Sequence, residues 1–127
     1  MKSLDIPQIS VAALVRYHPD KSDEAAERFV FSYTISIRNL GNVTAKLLRR
    51  HWVITDSYLH MQEVSGDGVV GEHPVLESGQ QFEYTSGTLL KTSVGTMHGH
   101  YTFETATGLE FEAEIPQFVL SVPRVLH

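Results

Sequence analysis

An alternation of apolar and mainly polar residues over Phe29–Arg38 constrains the fold of this chain more than any other feature. Five apolar side chains fall on one face of the segment, and these are Phe29, Phe31, Tyr33, Ile35 and Ile37. Because successive side chains of a strand point to opposite sides, a period of two predicts a half-buried β-strand. Asn39, Gly41 and Asn42 then end the pattern, as turn residues do.

Segments with the same period recur along most of the chain. Further strands are predicted at Ile9–Tyr17, Lys46–Asp56, Leu59–Val64, Gln80–Ser86, His98–Thr105, Leu109–Glu114 and Phe118–Val122. In the strand that follows Phe29–Arg38, the pattern places Leu48, Trp52 and Ile54 on one face, so Trp52 is expected in the core. Thr107-Gly108 predicts a tight hairpin between two of these strands.

Helical signals are confined to one short run, Ser22–Arg28, which we interpret as the tip of a long hairpin between the first two strands. Seven or more antiparallel strands in this length indicate an all-β, immunoglobulin-like or fibronectin type III-like sandwich. A small closed barrel is the alternative. No linker or repeat interrupts the 127 residues, so a single domain over residues 1–127 is expected.

The charge and composition restrict the classes of partner and the chemistry. A net charge of −5 disfavours a general electrostatic interaction with nucleic acid or an anionic membrane. The absence of cysteine excludes disulfides, zinc ribbons and thiol nucleophiles, and it suits a cytoplasmic protein. Met1–Ser10 lacks the apolar run of a signal peptide, and no segment is apolar enough to insert into a membrane.

A glycine motif occurs at residues 66–71, with the spacing G-x-G-x-x-G. A dinucleotide site with this motif requires a strand before it and a helix after it. Here Glu72-His73-Pro74 follows at once, which does not continue as a long helix, and the nearby acidic residues would repel phosphate. We therefore interpret the glycines as residues of a tight loop, in which positive φ angles are allowed.

Other polar groups give weaker indications of chemistry. His98 and His100 place two imidazoles on one face of a strand, which is a spacing that metal sites use, but no third ligand lies nearby in sequence. Glu110, Glu112 and Glu114 form an acidic row that is typical of a solvated sheet face. Lys46 and Arg49-Arg50-His51 point to both faces of one strand, so we expect ordinary surface there. No nucleophile motif is present, and the sequence predicts a protein without enzymatic activity or cofactor.

Longer runs of residues resemble the ApaG family, which is also called CorD. These runs are Trp52–Asp56, Val64–Gly71, Pro74–Leu76, Gly79–Gly87, Thr92–Tyr101 and Ile115–Pro123, and they cover essentially the whole chain. One departure is Ser57–Met61, where the family usually has a polar turn, and we expect Tyr58 and Leu59 to be exposed there. His98 stands where relatives often carry Gln or Glu, which argues against a family metal site at His98 and His100.

The resemblance implies a fibronectin type III-like sandwich in a bacterial cytoplasmic protein that is associated with cobalt resistance and magnesium efflux. It also implies a non-catalytic protein-interaction or regulatory role, with a protein partner that is not identified; the sequence leaves a homodimer open. A direct sensor of a divalent metal ion or a phosphate compound is the alternative. We predict that the partner binds a loop that comprises Gly66, Asp67, Gly68, Val69, Val70, Gly71, His73 and Pro74.

Overall fold

The computed structural model describes residues 4–123, which contain eight β-strands and two short 3-10 helices. The strands are β1 (Ile9–Tyr17), β2 (Phe29–Asn39), β3 (Ala45–Asp56), β4 (Met61–Asp67), β5 (Val75–Leu76), β6 (Gln81–Leu90), β7 (Val94–Thr105) and β8 (Glu110–Ser121). The 3-10 helices, Pro19–Lys21 and Glu24–Ala26, form the tip between β1 and β2, where the sequence predicted a hairpin tip.

The strands form two antiparallel sheets that pack face to face. One sheet has the order β1-β2-β6, and the other has the order β4-β3-β7-β8, with β5 paired to the start of β3. This confirms the predicted two-sheet sandwich over the closed barrel. The hairpin between β7 and β8 is also confirmed, since the N–H of Gly108 donates to the carbonyl of Thr105 and Gly108 has a φ of +89°.

The core lies between the two sheets. The five predicted apolar residues of β2 are all buried, from Phe29 to Ile37, because β2 is the central strand of its sheet. Trp52 is 3% exposed, as predicted, and its ring centroid lies 5.4 Å from that of Tyr33 and 5.9 Å from that of Phe118. Aromatic contacts between the sheets therefore form the centre of the sandwich.

A β-bulge in β3 corrects the predicted inward face of that strand. The register with β7 shifts between Leu47 and Arg49, so that Leu47 is fully buried and Leu48 only half-buried. Leu48 was predicted on the same face as Trp52. The extra residue of the bulge reverses the alternation at that point, whereas Arg50 and Trp52 lie beyond the bulge and share one side as alternate residues.

A second irregularity joins two predicted strands into one. The strands predicted at Leu109–Glu114 and Phe118–Val122 merge into the single strand β8, Glu110–Ser121. Its pairing with β7 shifts register where Ile115 and Phe118 face Gly99 and Met97. The shift lies at Pro116, which has no N–H to donate to a ladder and is tolerated at bulges and edges. Leu109, the first residue of the predicted strand, precedes β8 and is exposed.

The turn after β3 begins at the predicted place but ends later, because β4 starts at Met61 and not at Leu59. The carboxylate of Asp56 accepts the N–H groups of Tyr58 and His60, at 2.9 and 3.0 Å, and so fixes the turn. Leu59 has a φ of +64°. Tyr58 is 60% exposed and Leu59 is 81% exposed, which confirms their predicted exposure.

Candidate functional site

The predicted binding loop connects β4 to β5 and is built around a tight turn. Gly66 and Asp67 are the last residues of β4, and Pro74 precedes β5. The N–H of Val69 donates to the carbonyl of Glu72, and the N–H of Glu72 donates back to the carbonyl of Val69, both at 2.9 Å. No helix follows the glycine motif in the described structure. A dinucleotide site would require one, so the structure agrees with our interpretation of the glycines as loop residues.

The two valines of the loop have opposite environments. Val69 is fully buried and belongs to the core between the sheets, so it cannot contact a partner directly. Val70 is 55% exposed and has a φ of +44°, followed by Gly71 at +79°. Positive φ at both central residues is the geometry of a type I′ turn, which favours Asn-Gly and not a β-branched residue at the first position. Val70 is therefore a strained, exposed residue at the tip of the turn.

The first two glycines of the motif serve the local packing. Gly68 has a φ of +62°, and a Cβ atom there would overlap the carbonyl oxygen of Glu72. Gly66 leaves room for Arg50, because a Cβ atom at Gly66 would lie 2.7 Å from Nη2 of the guanidinium. Tight packing and turn geometry thus account for the glycines without a phosphate ligand.

Arg50, for which the sequence predicted ordinary surface, is half-buried and contacts the loop. Its Nη1 donates to the carbonyl oxygens of Asp67 and Gly68, both at 2.9 Å, which attaches the loop to β3. Among the described residues, Nε and Nη2 of Arg50 have no hydrogen-bond partner. Neighbouring Arg49 lies on the outer face, where it forms an ion pair of 3.3 Å with Glu110. The two arginines thus lie on opposite faces, as the alternation predicted, and Arg50 lies on the same side as Trp52, two residues further along the strand.

The sandwich is open along one side, which we call the seam: the gap between the unpaired edge of β6 and the edge formed by β4 and β5. On the opposite side, β1 packs against β8. A cleft of about 500 Å³, the seam cleft, lies in the middle of the seam. Its lining comprises Tyr33, Trp52, Ile54 and Met97 from the core, Gln62 and Val64 from β4, Ser86–Leu89 from β6, and the cations Arg50 and Lys91.

A second opening of about 600 Å³ lies at one end of the seam, between residues 72–76 and residues 80–82. His73 lines it, and its Nδ1 donates a hydrogen bond of 3.1 Å to the carbonyl oxygen of Leu47. The predicted binding loop therefore borders the seam with its C-terminal half.

The two candidate metal ligands do not form part of a larger ligand set. His100 stacks on His51, with ring centroids 5.2 Å apart, and its Nε2 lies 3.5 Å from a carboxylate oxygen of Glu112. Within residues 4–123, no group of three or more His, Asp or Glu side chains is arranged to hold a metal ion. Glu110, Glu112 and Glu114 are exposed on the outer face of β8, as the sequence predicted.

Two tyrosines form a hydroxyl–hydroxyl hydrogen bond between the sheets, from Tyr84 on β6 to Tyr101 on β7. Burial raises the pKa of Tyr84 to about 12, and burial likewise raises the pKa of Tyr101. The nearby positive charge of Arg50 lowers both pKa values but is a smaller effect than burial. Both phenols therefore remain neutral at ordinary pH and tie the β6 edge to the opposite sheet.

The tyrosine pair predicts a loss of stability at alkaline pH. The unfolded phenol releases its proton near its ordinary pKa of about 10, whereas folded Tyr84 keeps its proton until pH is about 12. Because the unfolded state binds fewer protons in that window, the free energy of unfolding should be steady up to about pH 10 and fall from there as pH rises. Urea denaturation at a series of pH values measures this slope, and Tyr84→Phe should make it shallower. An equal slope in wild type and variant would contradict the assignment.

In the described part of the chain, no helix has the length and apolar character that crossing a membrane requires.

Comparison with known proteins places the chain among proteins of one family. A family model described as the ApaG domain matches residues 19–105. Protein ApaG of Azoarcus sp. (strain BH72) is 50% identical over 127 residues, which is 100% of both chains, and that of Nitrosospira multiformis is 53% identical over 120 residues, 94% of both. A crystal structure described as an ApaA protein of Bordetella pertussis is 42% identical, with a TM-score of 0.92 over 97% of this chain and 100% of that one. The chain therefore belongs to the ApaG domain family.

Proposed function

We propose that this protein is a non-catalytic protein-interaction module of the cytoplasm, formed by a single domain over residues 1–127. On the basis of the family resemblance, we further propose that it acts in the homeostasis of divalent cations, through cobalt resistance and magnesium efflux. The observation that carries the interaction role is the strained, exposed Val70 at the tip of the loop between β4 and β5.

The backbone strain at Val70 is informative because another residue, asparagine, would adopt the same φ at a lower cost in stability. A β-branched residue in the left-handed region costs about 1–2 kcal/mol, and asparagine avoids most of that cost in a type I′ turn. Strained residues of this kind cluster at ligand contacts, where the strain is retained for function. An exposed apolar side chain held rigidly at a turn tip is suited to insertion into a pocket of a partner protein.

The substitution Val70→Asn should therefore separate stability from binding. We expect the free energy of unfolding to rise by about 1 kcal/mol because the turn is relieved of strain. Capture of protein partners from a native lysate by the tagged variant should nevertheless fall, as measured by quantitative mass spectrometry. In a deletion strain, the same variant should restore cobalt tolerance less well than wild type.

Val119→Asn is the matched control, since Val119 is also 55% exposed but lies on β8, away from the loop. Its capture of partners should equal that of wild type. If Val70→Asn captures the same proteins as wild type, the role of the turn tip is wrong. If wild type captures no protein above background, the interaction role itself is wrong.

A further inference from the structure

We propose that the seam cleft binds an extended segment of a partner protein that carries an acidic side chain two positions away from an apolar one. This inference rests on the proposed interaction role and specifies where the partner segment lies and what chemistry it has. The proposed site is the gap between β4 and β6, where the sequence did not predict a binding site.

The edge of β6 is open to pairing with another strand. Its register with β2 runs without interruption from Gln81 to Leu90, and it contains no proline and one charged residue, Glu83. Edge strands that avoid pairing carry prolines, bulges or several charges, and β8 has all three. An unprotected, regular edge beside a cleft is the arrangement to which an extended peptide adds as a further strand.

The cleft beside this edge has an apolar floor and a cationic wall. Trp52 lies beneath this floor and is 3% exposed, while half-buried Val64 and exposed Leu89 supply the apolar surface of the cleft. Arg50 and Lys91 are the charged residues of the lining, and no Asp or Glu is part of it. In a chain with 15 acidic and 10 basic residues, two cations without an acidic neighbour favour an anionic ligand with an apolar portion.

Arg50 is positioned to bind a carboxylate. Its Nη1 is held by the carbonyls of Asp67 and Gly68, which fixes the guanidinium before any ligand arrives. Nε and Nη2 remain, and this pair of donors binds a carboxylate through two parallel hydrogen bonds. Because the arginine is already ordered, little side-chain entropy is lost on binding.

The spacing along a strand determines the segment that fits. Alternate residues of a strand lie on the same side, about 7 Å apart, so an acidic residue at Arg50 places its second neighbour over the apolar floor. Acidic side chains lie near both ends of the seam, because Asp56 and Glu72 line the two pockets that adjoin the seam cleft. Repulsion by these groups confines the acidic residue of the segment to the centre.

The probe is a phage-displayed library of random octapeptides, and selected sequences are then synthesised with acetylated and amidated ends. We expect enrichment of Asp or Glu with an aromatic or aliphatic residue two positions away. Trp52 is the only tryptophan, so its fluorescence reports binding at the cleft directly. Arg50→Gln should weaken binding about 10- to 100-fold, whereas Arg49→Gln on the outer face should change it less than about twofold.

A second variant keeps the test valid if Arg50→Gln perturbs the loop. The chain has no cysteine, so Ser86→Cys introduces one reactive thiol into the cleft. Its modification with benzyl methanethiosulfonate should abolish peptide binding, and dithiothreitol should restore it. Ser10→Cys, exposed on β1, is the matched control and should bind normally with the label attached.

Four outcomes would overturn the proposal. Selected peptides without an acidic preference would refute it, and so would peptides whose binding survives the label at position 86. An effect of inorganic pyrophosphate on Trp52 fluorescence at lower concentration than any selected peptide would assign the cleft to a phosphate compound instead. If no peptide is selected, the cleft assignment is wrong, while capture from lysate by wild type and Val70→Asn still decides the interaction role separately.

Discussion

Replacing Trp52 with alanine should lower the free energy of unfolding by about 3–5 kcal/mol. The side chain is 3% exposed and contacts aromatic rings of both sheets, namely Tyr33 on β2, Tyr101 on β7 and Phe118 on β8. Removal of the indole leaves a cavity that the surrounding β-sheets cannot close, because backbone ladders on both sides hold their spacing. Denaturation by guanidinium chloride, followed by far-ultraviolet circular dichroism, measures the loss without relying on the deleted fluorophore.

Tyr58→Ala is the control for this measurement, since Tyr58 is an aromatic residue that is 60% exposed in the turn after β3. Its effect should be within about 0.5 kcal/mol, as for most surface substitutions. A loss of less than about 1 kcal/mol for Trp52→Ala would mean that the indole contributes little to the core. The inward face of β3 would then have to be reassigned.

Trp52 also illustrates which parts of the fold are predictable from sequence. The alternation over β2 was correctly interpreted because the strand is regular and central, so each odd-numbered residue from Phe29 to Ile37 meets the core. The same reasoning succeeded for Trp52 but failed for Leu48, four residues earlier. A bulge depends on how two strands pair, and neither strand alone contains that information.

Arg50 is a residue whose orientation was predictable but whose role was not. It shares a face with Trp52 because the two are alternate residues of one strand, but the predicted surface character of Lys46 and Arg49–His51 concealed its position in the seam. Likewise, the sequence grouped Val69 with Val70, and only the turn hydrogen bonds separate the buried residue from the exposed one. The seam itself follows from strand order, which a single sequence does not specify.

The second large effect concerns the glycine motif. Gly68→Ala should lower the free energy of unfolding by about 2–4 kcal/mol, from backbone strain together with a steric overlap. Gly68 has a φ of +62°, and the added Cβ would overlap the carbonyl oxygen of Glu72, which is a backbone atom held by the turn. Since Val69 follows directly and is fully buried, relief of the overlap would also pull a core side chain out of place.

Gly71→Ala is the matched control for Gly68→Ala. Gly71 has a φ of +79°, but nothing lies within 4 Å of a Cβ atom built there, so only the backbone cost of about 1–2 kcal/mol applies. Thermal or urea denaturation of both variants should rank Gly68→Ala as clearly the more damaging. A motif that bound phosphate would behave differently. Its alanine variants would lose phosphate affinity according to how closely each glycine contacts the ligand, and this order need not follow the losses of stability. Equal and small losses of stability at Gly68 and Gly71 would therefore contradict the packing explanation.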